Sequence, residues 1–94
     1  MSDRTIPVFW RPTGEGITCL RFPVRDVDGK LVAEREDLDI HVEGRTEADI
    51  EVAILEDLAY LYRTYVVVPR SDLSRPSLVL RDHLRHLLKM PAET

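Results

Sequence analysis

One cysteine in 94 residues leaves Cys19 nothing to pair with inside the chain, so intrachain disulfides and thiolate zinc clusters are both excluded. Aromatic residues are scarce, at 6%, and none follows Tyr65, so the C-terminal segment has no platform on which bases could stack. No apolar run approaches the roughly 20 residues of a membrane span. The start, Met1-Ser2-Asp3-Arg4, lacks the basic-then-apolar layout of a secretory signal. A soluble, cytoplasmic chain is expected, with no membrane partner. G-x-S-x-G, Walker A and dinucleotide fingerprints are missing, and Gly14-Glu15-Gly16 alone is too little for a phosphate cradle. The sequence therefore predicts no enzyme, with no catalytic residue, no metal and no cofactor.

What is present is the material of one small domain. Apolar residues make up 44% and charged residues 32%, and Leu, Ile and Val run along the whole chain, which suits a modest core and argues against disorder. The formal charge of −4 is unevenly spread: Met1 to Ala33 nets +1, Glu34 to Tyr60 nets −8, and Leu61 to Thr94 nets +3. An acidic block of that size repels polyanions and favours cationic partners.

The elements follow from periodicity and turn chemistry. Ile6, Val8 and Trp10 alternate ahead of a loop signal, Pro12-Thr13-Gly14-Glu15-Gly16, and Ile17 to Val24 reads as a longer strand. Pro7 and Pro23 suggest that this first hairpin is short or irregular. Asp28-Gly29 marks a tight turn before Lys30 to Glu36. Leu38, Ile40 and Val42 then alternate with Asp39, His41 and Glu43, a strand with one buried and one wet face. Thr46 is the natural cap of a helix, its hydroxyl accepting from the Asp49 amide. Ile50, Ile54, Leu58, Leu61, Tyr62 and Tyr65 form the inner stripe of that helix. Ala48, Val52, Leu55, Ala59 and Val66 widen the stripe to about half the circumference, more than one sheet face covers. A second contact surface is implied, either the C-terminal helix or another copy of the chain, and a homodimer is expected. The β-branched run Val66-Val67-Val68 before Pro69 leaves open whether the helix continues or gives way to a strand. Ser74 caps a last helix, with Leu80, Leu84, Leu87 and Leu88 on one stripe, ending near Met90-Pro91.

Residues able to do chemistry mostly have plainer readings. His83 and His86 are three apart on a helix, but no further ligand accompanies them. His41 between Asp39 and Glu43 could be a base held by carboxylates, and reads better as a polar residue on a wet strand face. Cys19 has only Arg21 nearby to lower its pKa and reads as a bystander thiol. Arg81, Arg85 and Lys89 offer candidate phosphate contacts on the last helix, diluted by Asp72 and Asp82, so nucleic-acid binding is the disfavoured alternative.

The run Leu31-Val32-Ala33-Glu34, then Asp37-Leu38-Asp39-Ile40, then Glu43-Gly44-Arg45-Thr46-Glu47-Ala48 and a helix ending in Leu61-Tyr62 resembles the HicB-like antitoxin domain, over the middle third of the chain. The resemblance implies a three-stranded antiparallel meander with a helix across one face, a degenerate ribonuclease H-like arrangement without nuclease activity, dimerisation, and neutralisation of a small basic RNA-cleaving toxin. Residues and resemblance together predict a single α+β domain over residues 1–94, with a core over 17–66. Its antiparallel sheet has three to four strands, a long helix is packed on one face, and a second C-terminal helix spans about 75–89. A cationic, toxin-like protein partner would meet Glu34, Glu36, Asp37, Asp39 and Glu43. The alternative is a stand-alone homo-oligomeric domain.

Overall fold

The computed structural model describes residues 4–12 and 16–89. Strands β1 (Arg4–Trp10), β2 (Thr18–Val27), β3 (Lys30–Arg35) and β4 (Ile40–Gly44) pair antiparallel in sequence order, so β1 and β4 are the edges. Helix α1 (Glu47–Leu61) lies across one face and α2 (Arg75–Leu87) packs at its end, an α+β domain. The predicted loop around Thr13-Gly14-Glu15 and the predicted helix end at Met90-Pro91 lie outside the described residues.

The turn between β2 and β3 sets the pleat. Asp28 and Gly29 both have left-handed backbones, φ 51° and 82°, as a two-residue primed turn requires, and Val27 faces Lys30 across it. That closing pair directs its backbone N–H and C=O across the hairpin. By alternation, Arg25, Pro23, Arg21 and Cys19 also turn theirs to the β3 side of β2, away from β1. Pro23 thus lacks an N–H that β1 does not need, and the β2–β3 pairing stops beside it at Val24↔Ala33. Pro7, opposite Arg21 on edge strand β1, lacks only an N–H directed outward. Because neither proline interrupts the ladder, the first hairpin is neither short nor irregular: β1 pairs over all seven of its residues.

Alternation sends Val8, Trp10, Leu20, Phe22, Val24, Ala33, Ile40 and Val42 to one face, where Ile50, Ile54 and Leu58 of α1 meet them. Leu38 departs from the strand reading. It closes a 3₁₀ turn, Glu36–Leu38, and Asp39 follows in a left-handed conformation (φ 54°), so β4 begins only at Ile40. The corner nevertheless returns Leu38 to the core, fully buried. At the other end of β4, Thr46 Oγ1 accepts from the Asp49 N–H (3.1 Å), and Asp49 Oδ2 accepts from the Arg45 N–H (3.4 Å). Gly44 makes this strand-to-helix corner possible, because a Cβ there would stand 2.9 Å from the Asp49 Cβ.

Val66-Val67-Val68 is not a strand. Helix α1 runs on into a π-helical turn, Tyr62–Val66, in which the Val67 N–H donates to the Tyr62 carbonyl (3.0 Å). Val66 is buried, and the Tyr62 ring meets Trp10 edge-on, centroids 6.1 Å apart. The carbonyls released at this end are taken by Arg81. Its Nη1 donates to the Tyr65, Val66 and Val68 oxygens at 2.8, 2.8 and 2.7 Å, and the residue is only 6% exposed. A guanidinium suits the negative end of a helix dipole. One turn later Leu84 is fully buried, with Leu80, Leu87 and Leu88 packed against the same core. Helix α2 therefore docks on the end of α1, where Val66 is buried, and leaves the rest of the second apolar stripe exposed or only partly covered. Ala48 and Val52 on that stripe are exposed, and Leu55 and Ala59 are half-buried.

Candidate functional site

No other described element covers the sheet face opposite the helices. On it lie Thr5, Pro7 and Phe9 of β1, Cys19, Arg21, Pro23 and Arg25 of β2, Val32 and Glu34 of β3, and His41 and Glu43 of β4. Cys19 is an exposed thiol across from Phe9. Val32 is buried although it faces outward, flanked in register by Arg25 and Glu43. The stems of those charged side chains can cover it while their heads stay in water.

The five carboxylates expected to meet a partner separate into two groups. Glu34 and Glu43 share the outer sheet face, with His41 between them: Nδ1 lies 3.5 Å from Glu34 and Nε2 lies 3.6 Å from Glu43. Glu34 also pairs with Arg25, which neutralises part of its charge. Glu36, Asp37 and Asp39 stand instead on the 3₁₀ corner between β3 and β4. Among the described residues no cation pairs with Glu36 or Asp39, and both are exposed. The ten-residue span from Glu34 to Glu43 thus places an acidic strip along one end of the sheet and around its corner.

Asp37 is held from two sides. The Arg35 Nε donates to its Oδ1 (2.9 Å), and the His83 Nε2 of α2 donates to its Oδ2 (2.7 Å). The Arg35 guanidinium also lies 5.6 Å from the centre of the buried Phe22 ring, so sheet, corner and α2 meet in one polar cluster. Partial burial pushes the Asp37 carboxyl up, but the hydrogen bonds and charges of His83 and Arg35 outweigh it and hold the group below its usual 3.8. A depressed carboxylate stabilises the fold at pH above its unfolded value, and that contribution disappears as pH falls through the lower folded value. Acid titration followed by circular dichroism is therefore expected to show wild type losing stability below pH 3.8 more steeply than Asp37→Asn, which lacks the titrating group.

The basic row of α2 does not form one surface. Arg81, a candidate phosphate contact by sequence, is withdrawn into the core as the cap of α1. Arg85 is half-buried, and Lys89 is exposed just past the helix end with φ 55°. His83 is committed to Asp37, and among the described residues no group of three His, Cys, Asp or Glu side chains is placed to hold a metal ion. The described helices include none long and apolar enough to cross a membrane. Arg25 and Arg35, which shape the acidic strip, were missed by sequence reasoning. Arg25 was within reach, since counting back from Asp28-Gly29 sets it opposite Val32 and diagonal to Glu34. Comparisons with protein-family models, with curated proteins and with solved structures return no match.

Proposed function

We propose that this domain is a non-catalytic protein-binding module, cytoplasmic and homodimeric, that takes a cationic protein partner in the manner of a HicB-like antitoxin. The observation that carries the reading is the acidic strip: Glu36 and Asp39 without a pairing cation among the described residues, next to Glu34 and Glu43 on the sheet face opposite the helices. Clustered carboxylates raise the rate of encounter with a positive surface and set its orientation. The meander β2-β3-β4 with α1 across one face supports the reading, since the resemblance implies three such strands, and β1 is an addition to them. Dimerisation is supported by the incompletely covered stripe of α1, where Val52 is 56% exposed beside half-buried Leu55 and Ala59. The burial of Arg81 weighs against the nucleic-acid alternative.

The test uses Glu36→Lys and Glu43→Lys together with Asp39→Asn, since Asn tolerates the left-handed backbone at that position. Co-expression with a small basic RNA-cleaving toxin of the HicA type, followed by affinity capture, is expected to retain the toxin on the wild type and lose it on the variant, with both domains folded by circular dichroism. Equal retention by the two proteins would refute the acidic strip as the binding surface.

A further inference from the structure

A second surface has the opposite charge. Between the N-terminal half of β2 and the end of α2 runs a groove of about 530 Å³, walled by Ile17, Cys19, Arg21, Arg35, Leu87 and Lys89 among others. Here β2 is paired on one side only: β1 covers Thr18 to Val24, but β3 is paired with β2 only from Val24 to Val27. The pleat turns the N–H and C=O of Cys19 and Arg21 to that open side, and no hydrogen bond links them to another described segment. The groove thus holds a free sheet edge, the feature to which an extended chain adds.

We propose that this groove docks an extended acidic peptide segment of a partner protein as an added strand beside Cys19 to Arg21. Charge complementarity identifies the occupant. Arg21, Arg35 and Lys89 line the groove, and no carboxylate does among the described residues. Arg35 is steadied by its Nε bond to Asp37, and Arg21 and Lys89 are exposed. Alternate side chains of an added strand point to opposite faces. The outward set meets Arg21, and the inward set meets Arg35, Lys89, Leu20 and Leu87 on the helix side of the sheet. A second copy of this chain is the poorer occupant, because two-fold pairing of β2 with itself would gather the Arg21, Arg35 and Lys89 cations of both copies at one seam with no carboxylate of the groove between them. The groove shares Arg35 with the acidic strip, where its Nε holds Asp37, and is otherwise built from β2 and the end of α2.

The test titrates ¹⁵N-labelled protein with acetyl-Val-Glu-Val-Glu-Val-Glu-amide, with the same peptide carrying Lys for Glu, and with a version N-methylated at alternate residues. The acidic peptide is expected to shift the Cys19 and Arg21 amides saturably with a Kd below ~1 mM. Affinity should fall at least about tenfold for the Lys peptide, for the N-methylated peptide, and for the doubly substituted Arg21→Glu, Lys89→Glu protein. The last retains its amide spectrum elsewhere, since both side chains are in water. Four outcomes overturn the proposal: no shift at millimolar peptide, shifts confined to α1 or the acidic strip, equal binding of the N-methylated peptide, or a dimer that dissociates on Arg21→Glu. The last would assign the edge to a second copy.

Discussion

Replacing Arg81 by Met is expected to destabilise the domain by about 3 kcal/mol, because a bond from a charged donor contributes about 1.5–3 kcal/mol, and the buried Val66 carbonyl loses its donor together with the part-buried carbonyls of Tyr65 and Val68, which water can partly satisfy. In a chain of this size the melting temperature falls by roughly 12 °C or more. The methionine keeps most of the aliphatic stem, so the loss reports the guanidinium. All three bonds come from a single nitrogen, Nη1, which an ammonium can partly imitate. Arg81→Lys is therefore expected to recover part of the loss, although its side chain is one bond shorter. Thermal and urea denaturation check both variants. A cost below about 1 kcal/mol for Arg81→Met would show that water satisfies the Tyr65, Val66 and Val68 carbonyls as well as the arginine does.

Leu58→Ala carries a comparable expectation from apolar packing. Leu58 is fully buried in the core cluster, on the face of α1 turned to the sheet. Removing its isobutyl group forfeits transfer energy and leaves a cavity, at about 2–5 kcal/mol. Glu56→Ala on the same helix is the contrast, because Glu56 is exposed and lies off both apolar stripes, and it should change stability by less than about 0.5 kcal/mol. If the two substitutions cost the same in urea, the faces of α1 have been assigned wrongly.

Elements governed by short-range chemistry were legible before any coordinates. Asp28-Gly29 specified its hairpin because its two torsions demand residues that accept positive φ. Thr46 and Asp49 specified the start of α1 because the free amides there need acceptors. Three features escaped, each set by a contact distant in sequence. The π-helical end of α1 depends on Arg81, fifteen residues beyond Val66, and β-branched propensity pointed the other way. Leu38 is buried as its alternation suggests, yet on a 3₁₀ corner, since burial constrains the side chain and not the backbone carrying it. The prolines of β1 and β2 looked disruptive because the side to which each missing N–H points is known only once the register is known.

The candidate surface was legible in part. The acidic composition located it, but neutralisation of Glu34 by Arg25 and capture of Asp37 by Arg35 and His83 reduce the carboxylates without a basic partner to fewer than the sequence charge suggests. A partner would therefore be steered chiefly by Glu36, Asp39 and Glu43.

The most direct test of that claim is the association rate of the domain with its captured basic partner, measured by stopped flow across a series of salt concentrations. The acidic strip predicts a rate for the wild type that falls steeply with added salt, and a slower, nearly salt-independent rate for the protein carrying Glu36→Lys, Asp39→Asn and Glu43→Lys. Equal rates with the same salt dependence in both proteins would contradict it.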